Sequence, residues 1–181
     1  GPGQRADVIG DVTGAITLDD VRDDVHALGG LPVSGERTRR QVAVASLPPN
    51  PAASLGRPTQ NVELVMQGGA GGDAHGGFAG WAFNDVSGLS GQPFTRIRRN
   101  ETLTIHLVNT TDWPHAIHLH GQHFYEIGAD GVVGDYRDTT LLEPGQTRNI
   151  ACRFTNRGRW LLHCHMLSHQ ADGMATWIDV T

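Results

Sequence analysis

HAIHLHG, residues 115–121, is the stretch on which the fold turns. As an extended strand it sends successive side chains to opposite faces. His118 and His120 then share one face, while Ile117 and Leu119 share the other. His115 has the parity of the apolar pair and belongs on the buried side. A second segment, His163-Cys164-His165, has its thiol opposed to both flanking imidazoles. If the two strands are neighbours, one face of the sheet presents His115 with Cys164. The other presents His118, His120, His163 and His165.

Strand signals recur outward from this stretch. VELVM, FTRIRR, TLTIHLVN, HFYEIG, RNIACRF, RWLLHCH and ATWIDV are separated by turn residues. With 24 Gly, 9 Pro and sparse charge, the 181 residues suit a β-rich domain better than a helical bundle. A chain of this length can bury about 70% of its unfolded surface. The expectation is an all-β fold, an antiparallel sandwich or barrel beginning near residue 59. Alternation in RNIACRF puts Cys152 with Ile150 and Phe154 on a core face, as an inert thiol.

The front of the chain reads differently. Thr17 as N-cap, Asp19 and Asp20 in the first turn and Gly29 past the end predict a helix. Leu18, Val21, Val25 and Leu28 would form its apolar face. Residues 46–58, SLPPNPAASLGRP, read as a linker. The organisation expected is an N-terminal segment over 1–45, a linker over 46–58 and a β domain over 59–181. The first residues, Gly1-Pro2-Gly3 without Met, suggest a processed, cleaved or engineered product.

Net charge is −5 with no long basic run, which gives no footprint for nucleic acid or anionic lipid. No apolar run approaches the roughly 18 residues of a membrane span. Neither class of partner is expected.

The inner face gains two donors from the spacing Cys164-x4-His169-x4-Met174. Two imidazoles, a thiolate and a weak thioether are the ligand set of a blue-copper centre. Zinc takes Cys and His too, but an axial Met is foreign to it. On the outer face, four histidines bring eight ring nitrogens that cannot all be buried without partners. They are half of a larger metal site or a surface patch. His26, His75, His106 and His123 stand apart from these patterns. His26 and His75 read as solvent-facing and His106 as an outward strand residue. His123 lies beside the outer patch or on plain surface.

At these residues the sequence resembles the multicopper oxidases. WPHAIHLHG looks like the family's His-Pro-x-His-x-His-Gly segment, and HCHMLSHQADGM like its His-Cys-His-x3-His-x4-Met segment. NVELVMQGG, WAFNDVSG, FTRIRRNETLTIHLVN and YRDTTLLEPGQT look like the last cupredoxin domain of bacterial members. GQRADVIGDVTG looks like part of the preceding, copper-free domain. Ala116 departs from the family's Pro, and Gln170 stands where some relatives carry an acid linked to proton delivery.

The resemblance implies a cupredoxin-like Greek-key fold and copper as cofactor. It makes His115, Cys164, His169 and Met174 type 1 ligands, His118 a type 2 ligand, and His120, His163 and His165 type 3 ligands. A small-molecule or metal-ion reductant and dioxygen are the implied substrates, and a periplasmic or secreted address is implied for the parent protein. The family's other two His-x-His segments are absent, so the chain reads as a C-terminal fragment. Either a first cupredoxin domain or a second copy would complete the cluster. A single-domain electron carrier or copper-binding protein is the competing reading.

Overall fold

The computed structural model describes residues 2–5, 7–9, 12–21, 24–35, 42–49, 52–69 and 80–181. Two compact units are present, one formed by Arg5–Asn50 and the other by Gly1–Gln4 with Pro51–Thr181.

The smaller unit corrects the expected helix. Residues in the 17–29 interval form two antiparallel strands, β1 (Ile16–Asp20) and β2 (His26–Leu31), with Ile16 opposite Leu31 and Asp20 opposite His26. A helix here would have to bury its apolar stripe, yet Leu18 is 57% and Leu28 72% exposed. The β-branched Ile16, Thr17 and Val25, with Gly29 and Gly30, also weigh against a helix and cost less in an extended pair. His26 is exposed, as anticipated.

The larger unit is a two-sheet β-sandwich. Its strands are β3 (Pro58–Gly68), β4 (Trp81–Phe83), β5 (Thr95–Ile97), β6 (Thr102–Asn109), β7 (His115–Leu119), β8 (Phe124–Ile127) and β9 (Val133–Arg137). They continue with β10 (Thr139–Leu142), β11 (Thr147–Arg153), β12 (Gly158–Cys164) and β13 (Ala175–Val180). One sheet has the order β10-β7-β12-β13-β5, the other β4-β3-β6-β11-β8-β9. Neighbours are mostly antiparallel, with β3·β6 and β13·β5 parallel. Pro58, which has no N–H to give a ladder, stands at the first position of its strand.

Alternation decides what lies between the sheets. Leu103, Ile105 and Leu107 of β6 are fully buried, as are Ile117 and Leu119 of β7 and Leu162 of β12. These meet Phe124, Ile150 and Phe154 in one core. Each such side chain contributes about 1.5–3 kcal/mol by leaving water. Cys152 lies in the same core, as its parity required.

One helical turn interrupts the β pattern. After β12 the chain forms α1 (Leu167–Ala171) before β13 runs back beside β12. Gly173 makes the return possible. Its φ is +117°, and a Cβ there would stand 2.1 Å from Ser87 Oγ and 2.5 Å from the Trp81 carbonyl oxygen.

Candidate metal centres

Strands β7 and β12 are adjacent, with His163 opposite His118 and Cys164 opposite Ile117. This register puts the side chains on two faces, as parity predicted. His115 and Cys164 are completely buried. His118 and His165 are partly exposed, and His120 is exposed.

The inner group closes through α1. His115 Nδ1 lies 3.1 Å from His169 Nδ1, and each nitrogen is 3.8 Å from Cys164 Sγ. Backbone bonds hold the loop in place: Met174 N–H donates to the His169 carbonyl, and Cys164 N–H to the Met174 carbonyl. Met174 is buried in the core cluster that contains Cys164.

On the outer face, His118, His120 and His163 bring one ring nitrogen each within 4.8 Å of one another. His120 Nε2 and His163 Nε2 are 2.9 Å apart. His165 borders this group, its ring centroid 5.4 Å from His118 and 5.8 Å from His163. Near the start of the chain, Gly3 lies against the His165 ring.

The sequence matches the multicopper oxidase family model over residues 57–181. The chain belongs to the multicopper oxidase family. Among its relatives, the multicopper oxidase MmcO of Mycobacterium tuberculosis is 38% identical over 96 residues, which are 50% of this chain and 19% of that protein. Copper resistance protein A of Pseudomonas syringae pv. tomato is 32% identical over 117 residues, 65% of this chain and 18% of that protein. Lac15 from a marine microbial metagenome superposes with a TM-score of 0.71 at 41% identity, over 93% of this chain and 40% of that one. The chain therefore spans about a fifth of the curated relatives' length. The multicopper oxidase fold is the cupredoxin-like sandwich, and the metal is copper.

The inner donors fit such a metal. The point equidistant from the two Nδ1 atoms and Sγ lies about 2.1 Å from each. That matches a metal–imidazole bond of about 2.0–2.1 Å and is about 0.2 Å short of a metal–thiolate bond of about 2.3 Å.

Hydrogen bonds to the far side of each ring choose the nitrogen left free. His118 Nδ1 is 2.9 Å from the Asp138 carbonyl oxygen and 2.9 Å from Thr139 Oγ1. His163 Nδ1 is 2.8 Å from the Cys164 carbonyl oxygen. Each carbonyl only accepts, so each Nδ1 donates and each Nε2 keeps its lone pair.

Burial sets the charge state. It holds His115 down to about 3, with neighbouring His169 acting in the same direction. His163 falls to about 4, also chiefly by burial. His118 and His169 are lowered for the same reason. These rings are neutral at pH 7 and ready to ligate. Burial raises the Cys164 thiol in the metal-free chain.

Residues outside the sequence motifs also shape the site. The Trp81 ring meets His115 edge-on at 4.9 Å between centroids and leans over His169 at 4.3 Å. Nothing in periodicity or spacing signals that contact. Asn109 and Thr111 back the His115 ring, and Asn109 did carry a signal: it is polar at a core parity of β6.

His106 and His123 stay outside both groups. His106 points away from the core and pairs with Asn149 at 2.7 Å. Exposed His123 stacks on Tyr136, with centroids 5.3 Å apart. His75 lies outside the described residues.

Proposed function

We propose that this chain is the C-terminal copper-binding part of a laccase-like multicopper oxidase. In this reading His115, Cys164, His169 and Met174 hold a type 1 copper. His118 serves a type 2 copper, and His120, His163 and His165 serve a type 3 pair. The reading is carried by two donor groups on opposite faces of one sheet, joined by the consecutive residues His163-Cys164-His165. Copper bound there supplies one-electron exchange with a reductant at the inner group and reduction of dioxygen to water at the outer one.

The chain's own residues prepare both groups. Buried, neutral His115 in the inner group and His163 in the outer one present lone pairs without first shedding protons. Cys164 is linked by peptide bonds to both neighbouring histidines, and its carbonyl adds a hydrogen bond to His163. The shortest covalent connection between the groups therefore runs through this one residue.

Four outer histidines are half a cluster's ligands. A first cupredoxin domain, or a second copy across a two-fold axis, supplies the rest. Residues 1–45 are read as a remnant of a preceding domain, 46–58 as a linker and 59–181 as the cupredoxin domain. The reductant is a small molecule or metal ion, and the parent protein works in the periplasm or outside the cell.

Oxygen consumption tests this reading. The copper-loaded chain alone turns over little oxygen, and addition of a complementing first domain restores it. Brisk four-electron reduction by a strictly monomeric chain would defeat the half-cluster account.

A second reading follows from the completeness of the inner group beside the shortfall of the outer one: a single-domain electron carrier. One copper per chain favours the carrier, and more than one favours cluster assembly.

A further inference from the structure

The geometry points to Asn109 and Thr111 as positioning residues that fix the ring of His115 in the tautomer with Nδ1 free toward Cys164. The inference rests on His115 being a copper ligand and adds what sets its orientation.

Three buried polar side chains form a line here. Asn109 is 1% exposed, Thr111 2% and His115 0%. Asn109 Nδ2 lies 2.7 Å from the Trp113 carbonyl oxygen, 3.0 Å from that of Glu143 and 3.3 Å from that of Leu142. Carbonyls only accept, so the amide nitrogen must face them, and Oδ1 must face the other way.

Oδ1 is 2.8 Å from Thr111 Oγ1 and 3.0 Å from the Thr111 backbone nitrogen. An amide oxygen carries no hydrogen. Thr111 Oγ1 also lies 3.1 Å from the Trp113 carbonyl oxygen, but that oxygen too only accepts, so the hydroxyl proton goes to one of the two, and Asn109 Oδ1 is the nearer. That uses the only proton Thr111 Oγ1 has. Its lone pairs then accept from the Trp113 N–H at 3.2 Å and from His115 Nε2 at 2.7 Å. His115 Nε2 must therefore be the protonated nitrogen. Nδ1, 3.8 Å from Cys164 Sγ and 3.1 Å from His169 Nδ1, is left with its lone pair.

The order of donation runs one way, from His115 to Thr111 to Asn109, and the three carbonyls anchor its end. The carbonyls belong to the Asp112–Pro114 turn and to the end of β10, so the chain's fold, rather than a bound metal, selects the tautomer. An outer partner of this kind orients the ring and raises its basicity, and its loss typically weakens metal binding by about 10–100-fold.

Two measurements test this. In the metal-free, unaltered chain, nitrogen-15 correlation spectra of the histidine rings read the tautomer directly. His115 is expected with its proton on Nε2, and a proton on Nδ1 overturns the inference. The second uses Thr111→Val, which keeps the shape and removes the acceptor, beside Thr111→Ser, which keeps the hydroxyl. Copper competition against a chelator, followed by the thiolate charge-transfer band, should show Val weakened by about 10–100-fold with a shifted band, and Ser close to the unaltered chain. Equal affinity and an unchanged band in Val would refute the role. If Val does not fold, the ring spectra of the unaltered chain decide. Failure of the unaltered chain to bind copper at Cys164 would instead strike the proposed function and leave the tautomer result standing.

Discussion

The imidazole of His163 donates to the carbonyl oxygen of Cys164, the residue beside it, while the two side chains leave the strand on opposite faces. One residue step thus crosses the sheet. Among the inner donors His115, Cys164 and Met174 are buried and His169 partly so; among the outer ones His163 is buried, His118 and His165 are partly exposed and His120 is exposed. Both groups sit on β7 and β12, but Trp81 and Thr111 support the inner one while Asp138 and Thr139 support the outer, so each can be perturbed separately.

Trp81 is one handle on the inner group. It is 7% exposed and touches both histidine rings there. Trp81→Ala opens a cavity beside them and should cost about 3–5 kcal/mol in urea unfolding of the metal-free chain. Trp81→Phe should cost less, because an aromatic face remains over His169. A loss under about 1 kcal/mol for the Ala variant would mean that the ring is not packed as described.

Gly173 tests the return from α1 to β13. Its positive φ alone costs another residue about 1–3 kcal/mol. The Ser87 hydroxyl and the Trp81 carbonyl would also stand inside contact distance of a new Cβ. Gly173→Ala should therefore lower the thermal midpoint clearly and impair the inner site, because Met174 follows directly. An unchanged midpoint would contradict this geometry.

Acid should destabilise the metal-free fold through its buried rings. Folded His115 sits at about 3 and His163 at about 4, against about 6.5 for an unfolded histidine. Between those values the unfolded chain binds more protons, so stability falls as pH drops from about 6.5 towards 3. Urea midpoints at pH 7, 5 and 4 should decrease in that order. Replacing His163 by Gln should flatten the trend.

Cys152 should be inert. It is buried in the core and its thiol is pushed up to about 12 by desolvation. A thiol reagent at pH 8 should label it only after denaturation. Rapid labelling of the native chain would place it elsewhere.

How much of this was legible in the sequence depends on the length scale of each signal. Parity is local, so the faces of His115, His118, His163 and Cys164 could be read from two short segments. The same rule put Cys152 inward and His106 outward. The spacing of His169 and Met174 marked them as candidates, although one turn of helix delivers them. Short strands β9 and β10 carried no apolar alternation and did not stand out. The helix expected from Thr17 failed because capping and an apolar stripe are weak evidence where no core receives the stripe. Trp81 was invisible as a partner of the histidines, since it meets them only through long-range packing of β4 against His115 of β7 and His169 of α1. Asn109 carried an unused signal, a polar residue at a buried parity, and its partners lie in the 111–113 turn and at the end of β10.

In the proposed function, inner and outer donors are separate copper sites sharing one three-residue segment. Electron paramagnetic resonance with metal analysis on the copper-loaded chain tests it most directly, using Cys164→Ser and, separately, His118 and His120 both changed to Gln. The narrow copper hyperfine pattern of a thiolate site should vanish in the first variant and persist in the second, while total copper falls in both. A narrow pattern that survives Cys164→Ser, or one lost when only the outer histidines change, would rule out two separate sites.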